Sequence, residues 1–138
     1  MSTTSQLSLL AVLLAGANAL AVDYGSWAVN VTSASAASGY RYGSVTAEYS
    51  ATPGVFGQAS WLYDAPTFNW TYTYTPEGFK ASRVDNAAGD QPITIWQNVT
   101  LDGAVVELTG SGVVNMNCNS ASGRGCAGSG VVRAVLNG

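Results

Sequence analysis

The strongest constraint on this chain is an alternation of polar and aromatic residues at 67–75, TFNWTYTYT. Phe68, Trp70, Tyr72 and Tyr74 share one parity, and threonine or asparagine occupies every position of the other. Successive side chains of a β-strand point to opposite faces, so this stretch predicts a strand with one apolar and one polar face. Because the opposite face is entirely polar, we expect the four aromatic residues to lie in the core.

The same period of two recurs at 26–32 (SWAVNVT), 44–50 (SVTAEYS) and 92–101 (PITIWQNVTL). Turn-forming residues separate these stretches, and no part of residues 22–138 shows a sustained helical period. The sequence therefore predicts an all-β fold, a single antiparallel β-sandwich or β-barrel. Further strands are expected at 55–63, 103–109, 112–118 and 128–137.

Three N-x-[ST] sequons begin at Asn30, Asn69 and Asn98. Each asparagine falls on the polar parity of its strand, and a glycan must stand in water. We therefore predict that all three asparagines are exposed candidates for N-glycosylation. Residues on the opposite parity are expected to be buried, namely Trp27, Val29, Trp70 and Ile95.

Residues 1–21 have the layout of a secretory signal peptide. An apolar run leads into small residues, with a cleavage site after Ala21 or after Ala19. The run is too short for a transmembrane span. We expect a secreted, extracellular protein in which residues 22–138 form one domain with no membrane segment left after cleavage.

The chain has two cysteines, Cys118 and Cys126, separated by NSASGRG. A zinc site needs about four ligands, and this chain contains no histidine. A catalytic dithiol normally has the spacing C-x-x-C. In a secreted protein the remaining option is a disulfide that closes a hairpin between the last two strands.

Composition excludes several classes of partner and cofactor. The net charge is −3, and the five basic residues are scattered along the chain, so we expect no nucleic-acid partner and no anionic membrane surface. Gly123–Gly128 matches the dinucleotide fingerprint G-x-G-x-x-G. That fingerprint requires a strand before it and a helix after it, which this context does not offer, so we expect no cofactor.

Enzyme chemistry is limited by the absence of histidine, which removes the Ser-His-Asp triad and the Cys-His pair. Glycan hydrolysis needs only two carboxylates that meet in space. Four of the eight acidic residues lie in predicted turns with proline or glycine, where such residues form local hydrogen bonds, namely Asp64, Glu77, Asp90 and Asp102. We therefore predict a protein that is not an enzyme, with no catalytic residues, and keep a carboxylate-pair hydrolase as the third hypothesis.

Trp96 is the strongest single candidate for a contact residue. It shares the polar parity of its strand with Asn98, which predicts either an outward-facing contact residue or burial under a neighbouring loop. A carbohydrate-binding or cell-wall-associated module that uses exposed aromatic residues is therefore the second hypothesis. We expect a contact surface that includes Trp96 and the loop 85–90.

Three stretches resemble the Alternaria major-allergen family of small secreted fungal β-barrel proteins. They are GSWAVNVTSASAASGYRYGSVTAEYSA, WLYDAPTFNWTYTYT and NMNCNSASGRGCAGSGVVRAVLN. Members of that family carry further cysteines that this chain lacks. The resemblance implies a secreted, non-enzymatic, allergen-like or effector-like protein that binds a host extracellular protein or a small phenolic ligand. This is the first hypothesis for the function.

Overall fold

The computed structural model describes residues 22–119 and 125–137. The predicted signal peptide lies outside the described residues. The described residues form an all-β fold of antiparallel strands, as the sequence predicts. The strands are β1 (Ser26–Ser35), β2 (Arg41–Tyr49), β3 (Phe56–Asp64), β4 (Asn69–Thr75), β5 (Phe79–Ala81), β6 (Gly89–Leu101), β7 (Ala104–Cys118), β8 (Gly125–Arg133) and β9 (Val135–Leu136).

The strands form one sheet in the order β4-β3-β2-β1-β8-β7-β6-β5, and β9 pairs with β7. The sheet curls into a nearly closed barrel, so the fold is a barrel and not a sandwich. The two end strands of the sheet, β4 and β5, do not pair with each other through backbone hydrogen bonds. We call the junction between them the seam. No helix in the described part of the chain is long and apolar enough to span a bilayer.

The long hairpin β6–β7 differs from the sequence prediction. The stretches 103–109 and 112–118 belong to one strand, which pairs with β6 from Leu101↔Ala104 to Gly89↔Met116. The two turn residues, Asp102 and Gly103, both have positive φ, at 50° and 81°. That conformation matches the twist of the flanking strands in a two-residue hairpin and favours Asp-Gly.

The predicted strand 128–137 is divided into β8 and β9 at Ala134. Different parts of β7 pair with these two strands, because β8 opposes 115–118 and β9 opposes 108–109. Between them, a Cβ atom on Gly110 would lie 2.2 Å from the carbonyl oxygen of Arg133. Glycine is therefore required where β7 passes closest to the end of β8.

The core follows the predicted parity. Trp27, Val29 and Ile95 are buried, and the sequon asparagines lie on the exposed face, which confirms those predictions. The buried Trp27 donates from Nε1 to Oε1 of Gln97 at 2.7 Å, so its polar edge is satisfied.

Side-chain packing helps to close the barrel near the seam. Phe79 of β5 is 1% exposed and packs against Gly57 of β3. A Cβ atom on Gly57 would lie 2.3 Å from the Phe79 ring. The absence of a side chain at Gly57 therefore makes room for the ring that joins β3 to β5.

The predicted disulfide is present. Cys118 and Cys126 are bonded and are directly opposed in the β7–β8 pairing. The glycine- and serine-rich residues between them lie partly outside the described ranges. The bond joins the end of β7 to the start of β8, as the sequence prediction required.

Replacing both cysteines with serine should lower the free energy of unfolding by about 2.5 kcal/mol, because the nine-residue loop regains its entropy in the unfolded chain. Urea unfolding of the Cys118→Ser/Cys126→Ser chain against the oxidised wild type measures the difference. Alkylation without reductant should label neither cysteine of the native protein. Two labelled thiols would contradict the bond.

Candidate functional site

Five chain segments meet at one end of the barrel and enclose a cleft of about 440 Å³, which we call the end cleft. Antiparallel strands reverse direction at each step, so the end of β1, the start of β2, the end of β3, the start of β4 and the segment after β5 share this end. The residues that line it are Ser33, Ala34, Ser35, Arg41, Tyr42, Trp61, Trp70, Arg83, Val84, Asp85 and Asn86.

An aromatic ladder made of Tyr63, Trp70, Tyr72 and Tyr74 runs from the end cleft along the seam. Tyr63 and Trp70 have ring centroids 5.0 Å apart. The Trp70–Tyr72 and Tyr72–Tyr74 centroids are each 6.4 Å apart, with interplanar angles of 23° and 5°. Partial burial raises the pKa of Tyr74, and the neighbouring Tyr72 adds to that rise.

The prediction that Trp70, Tyr72 and Tyr74 lie in the core is wrong, because the aromatic ladder is partly exposed. Trp70, Tyr72 and Tyr74 have the inner parity, since they oppose Tyr63, Trp61 and Ala59 of β3. However, Trp70 is only half-buried, and Tyr72 and Tyr74 are 41% and 37% exposed. The reason is that β4 ends the sheet and no strand hydrogen-bonds to its other edge.

Phe68 departs further from the prediction, because it is 77% exposed. It belongs to the β3–β4 turn and has a left-handed backbone, with φ at 58°. Its backbone N–H and that of Thr67 both donate to the carbonyl oxygen of Asp64. The alternation that includes Phe68 in the sequence therefore ends in the structure at Asn69, where β4 begins.

Arg83 connects the two sides of the seam. It follows β5, and its Cζ lies 3.9 Å from the centroid of the Trp70 ring on β4. Its Nη1 also donates to the hydroxyl oxygen of Tyr72 at 3.0 Å. A guanidinium group over an indole face is held by electrostatic attraction to the ring, so this contact both fixes Arg83 and covers one face of Trp70.

The end cleft carries more positive than negative charge, although the chain is acidic. Arg41 lies with its Cζ 5.4 Å from the Tyr63 ring centroid, and Arg83 is the second cation. Asp85 is the single carboxylate among the lining residues. An aromatic ring contacts each of the two guanidinium groups, at 5.4 Å for Arg41 and 3.9 Å for Arg83, and favours their positions through cation–π attraction.

Polar contacts anchor the segment after β5 to the wall of the cleft. Ser33 Oγ donates to Asn86 Oδ1 at 2.7 Å, and Asn86 Nδ2 donates to Ser35 Oγ at 3.5 Å. Ser33 opposes the disulfide residue Cys126 in the β1–β8 pairing. The disulfide therefore braces the strand that supplies this wall.

Two loops at the same end are tied together by Tyr40 and Asp64. The side-chain hydrogen bond with Asp64, followed by the charge of that carboxylate, raises the pKa of Tyr40. Asp64 also accepts from Thr67 Oγ1 at 2.8 Å. The β1–β2 loop and the β3–β4 turn are thus linked at the end of the barrel that carries the cleft.

Trp96 lies outside the end cleft. It is half-buried on the outer face of β6, where it opposes Lys80 and Thr109. It lines a separate hollow of about 380 Å³ with Lys80, Glu107 and Asn137. Trp96 and the loop 85–90 do not line a common cavity, because Asp85 and Asn86 line the end cleft. The predicted contact surface that combines them is therefore not formed.

Several of the acidic side chains accept hydrogen bonds from neighbouring groups. Glu48 accepts from the backbone N–H of Gly54 at 2.6 Å, Asp90 accepts from Asn115 at 2.9 Å and Glu107 accepts from Asn137 at 2.8 Å. The described residues contain no group of three or more histidine, cysteine, aspartate or glutamate side chains placed to hold a metal ion. The end cleft, with Asp85 alone, does not supply a carboxylate pair.

Sequence reasoning treated Arg41 and Arg83 as scattered charges and did not identify them as site residues. A signal was present for Arg41, which shares the inner parity of Val45 and Ala47. None was present for Arg83, because the strand that precedes it, β5, has only three residues and is too short to show a period. A charged residue on the apolar parity at the end of a strand is a candidate for the mouth of a barrel.

Arg83 and Tyr72 should show a measurable coupling free energy. A double-mutant cycle with Arg83→Gln and Tyr72→Phe, measured by urea unfolding, should give about 0.5–1.5 kcal/mol, the usual net value of a side-chain hydrogen bond. Lys80→Gln with Tyr72→Phe is the matched control and should give a coupling near zero. Equal couplings in the two cycles would mean that Arg83 does not hold the seam.

Comparison of the chain with protein-family models, with curated proteins and with solved structures gives no match. The residues and the geometry of the end cleft are therefore what indicates the function of this chain.

Proposed function

We infer that this chain is a secreted binding protein without enzymatic activity, and that the end cleft holds a small phenolic ligand. The predicted signal peptide supports secretion, and the disulfide is compatible with an extracellular location. The observation that carries the proposal is the convergence of two arginines and two tryptophans on one cleft.

The size and chemistry of the end cleft suit a small molecule. Its volume of about 440 Å³ lies within the usual range for small-molecule sites. Trp61 is 5% exposed and forms an apolar wall, while Trp70 is half-buried near the seam. A planar ring can pack against these indole groups through its faces or edges.

The two guanidinium groups favour a ligand that carries acceptor oxygens. Arg41 and Arg83 offer donors to phenolic hydroxyl, phenolate or carboxylate oxygens, and such charge-assisted hydrogen bonds are stronger than neutral ones. Ser33 and Ser35 place hydroxyl groups in the same lining on shorter side chains. A phenolic acid combines the ring and the acceptor group that this lining complements.

The allergen-like or effector-like role is part of the same proposal. The stretches that resemble the Alternaria major-allergen family provide the expectation of a host extracellular protein or a small phenolic ligand as partner. A compact barrel with a disulfide is suited to persist outside the cell, where it can sequester or present a ligand.

A carbohydrate-binding role remains the second candidate because of a groove on the outer face of β2, β3 and β4. Its polar lining is uncharged and dominated by groups that can both donate and accept hydrogen bonds, namely Ser44, Thr46, Gln58, Ser60, Thr73 and Thr75. Ser44 and Ser60 also line an adjoining hollow that contains Tyr42, which is 49% exposed. Neutral hydroxyl groups beside one exposed ring suit an uncharged polysaccharide chain.

The ligand proposal is tested with 4-hydroxycinnamic acid as the probe. Isothermal titration calorimetry should detect binding to the wild type and a loss of at least about tenfold in affinity for Arg83→Gln, because one charge-assisted contact is removed. Lys80→Gln keeps the end cleft intact and should bind as the wild type does. Equal affinity of the Arg83→Gln chain, or no binding of this and related phenolic acids, would contradict the proposal.

The carbohydrate alternative predicts retention on an insoluble neutral polysaccharide such as chitin. Tyr42→Ala and Thr73→Val should then weaken retention several-fold, since they remove the exposed ring and one hydroxyl group. Trp96→Ala tests the hollow on β6 as a different contact surface. If the wild type washes off chitin and β-glucan at the same rate as a non-binding control protein, the carbohydrate role is excluded for those polymers.

A further inference from the structure

Phe68 combines a large exposed apolar side chain with a backbone conformation that costs stability. Its side chain is 77% exposed, although it is large and apolar. Its φ of 58° lies in the left-handed region, which glycine and asparagine adopt readily and a bulky residue does not. An outlier of this kind is a reason to look for a role outside the fold.

The β3–β4 turn does not depend on the Phe68 ring. The backbone N–H groups of Thr67 and Phe68 donate to the Asp64 carbonyl oxygen at 3.2 and 2.8 Å. Thr67 Oγ1 donates to the Asp64 carboxylate at 2.8 Å. These bonds would survive replacement of Phe68 by glycine, so the hydrogen bonding of the turn does not require the ring.

The residue that follows Phe68 is Asn69, the first residue of β4 and the acceptor position of the sequon Asn69-Trp70-Thr71. Asn69 and Thr71 are both exposed. A sugar attached to Asn69 would begin one residue away from an exposed aromatic ring. The C–H groups on one face of a pyranose ring form an apolar surface that packs well against such a ring.

The other two sequons lack this arrangement. Asn30 follows Val29, which is 1% exposed, and Asn98 follows Gln97, which is half-buried. In both cases the preceding side chain points to the inner face of its strand. Phe68 does not follow that alternation, because it lies in the turn with a left-handed backbone and its side chain is exposed.

We propose that Asn69 carries an N-linked glycan and that Phe68 is the surface on which its first N-acetylglucosamine residues pack. The exposed ring is then covered in the glycosylated protein, and this packing offsets the strain at Phe68. The proposal rests on passage through a secretory pathway and is independent of the end cleft and its ligand.

The test is a thermodynamic cycle on protein secreted from a eukaryotic host, with site occupancy measured by mass spectrometry. Thr71→Ala removes the Asn69 sequon. In that background, Phe68→Gly should raise the Tm by about 4 °C, because the backbone strain is relieved. In the chain glycosylated at Asn69, the same substitution should leave the Tm unchanged or lower it, because the packing surface is lost.

Thr32→Ala, which removes the Asn30 sequon, is the matched control. The effect of Phe68→Gly should be the same with and without a glycan at Asn30. An equal effect of Phe68→Gly with and without the Asn69 glycan would overturn the proposal. So would a secreted chain whose Asn69 is unoccupied. Enzymatic trimming to a single N-acetylglucosamine should preserve the coupling, since that sugar lies nearest the ring.

Discussion

The missing backbone pairing between β4 and β5 is the constraint on which the rest of this structure depends. Every other neighbouring pair of strands in the sheet order is joined by hydrogen bonds, but the seam relies on side chains. Phe79 packs against Gly57, and Arg83 lies against Trp70 and bonds to Tyr72. These contacts are few, so aromatic surfaces of Tyr72 and Tyr74 remain exposed along the seam.

The same contacts shape the electrostatics of the end cleft. Arg83 closes the seam with one part of its guanidinium group and lines the cleft as well, and Arg41 is held in a similar way by Tyr63. A structural role and a binding role therefore share the same side chains. Urea unfolding and calorimetry of the same Arg83→Gln chain are therefore both needed to separate the stability of the seam from the affinity of the cleft.

The alternation of side chains along the sequence predicts which residues face the core, but it does not predict which strands pair with each other. The alternation correctly placed Trp27, Val29, Ile95 and the sequon asparagines, and the cysteine spacing correctly predicted the disulfide. The three-residue strand β5 is too short to show a period. The aromatic residues of β4 were expected to be buried because sequence shows which face they occupy and does not show that the strand ends the sheet. Phe68 was misplaced for a local reason, since an alternating pattern can continue into a turn whose backbone no longer alternates.

The distribution of side-chain size along the barrel explains why the cleft lies at one end. Near the start of β1, Trp27 and Tyr49 are buried with ring centroids 5.8 Å apart. Their polar atoms are satisfied by Gln97 and by the carbonyl oxygen of Tyr24, so this end is filled and both donors have an acceptor.

Toward the other end of β1 and β2, the inward-facing positions are occupied by Ser33 and Gly43 instead. A Cβ atom on Gly43 would lie 2.6 Å from the Trp61 ring, so glycine lets that indole group settle beside β2. Large rings thus fill one end, and small residues leave space at the other, where the arginines face the cavity.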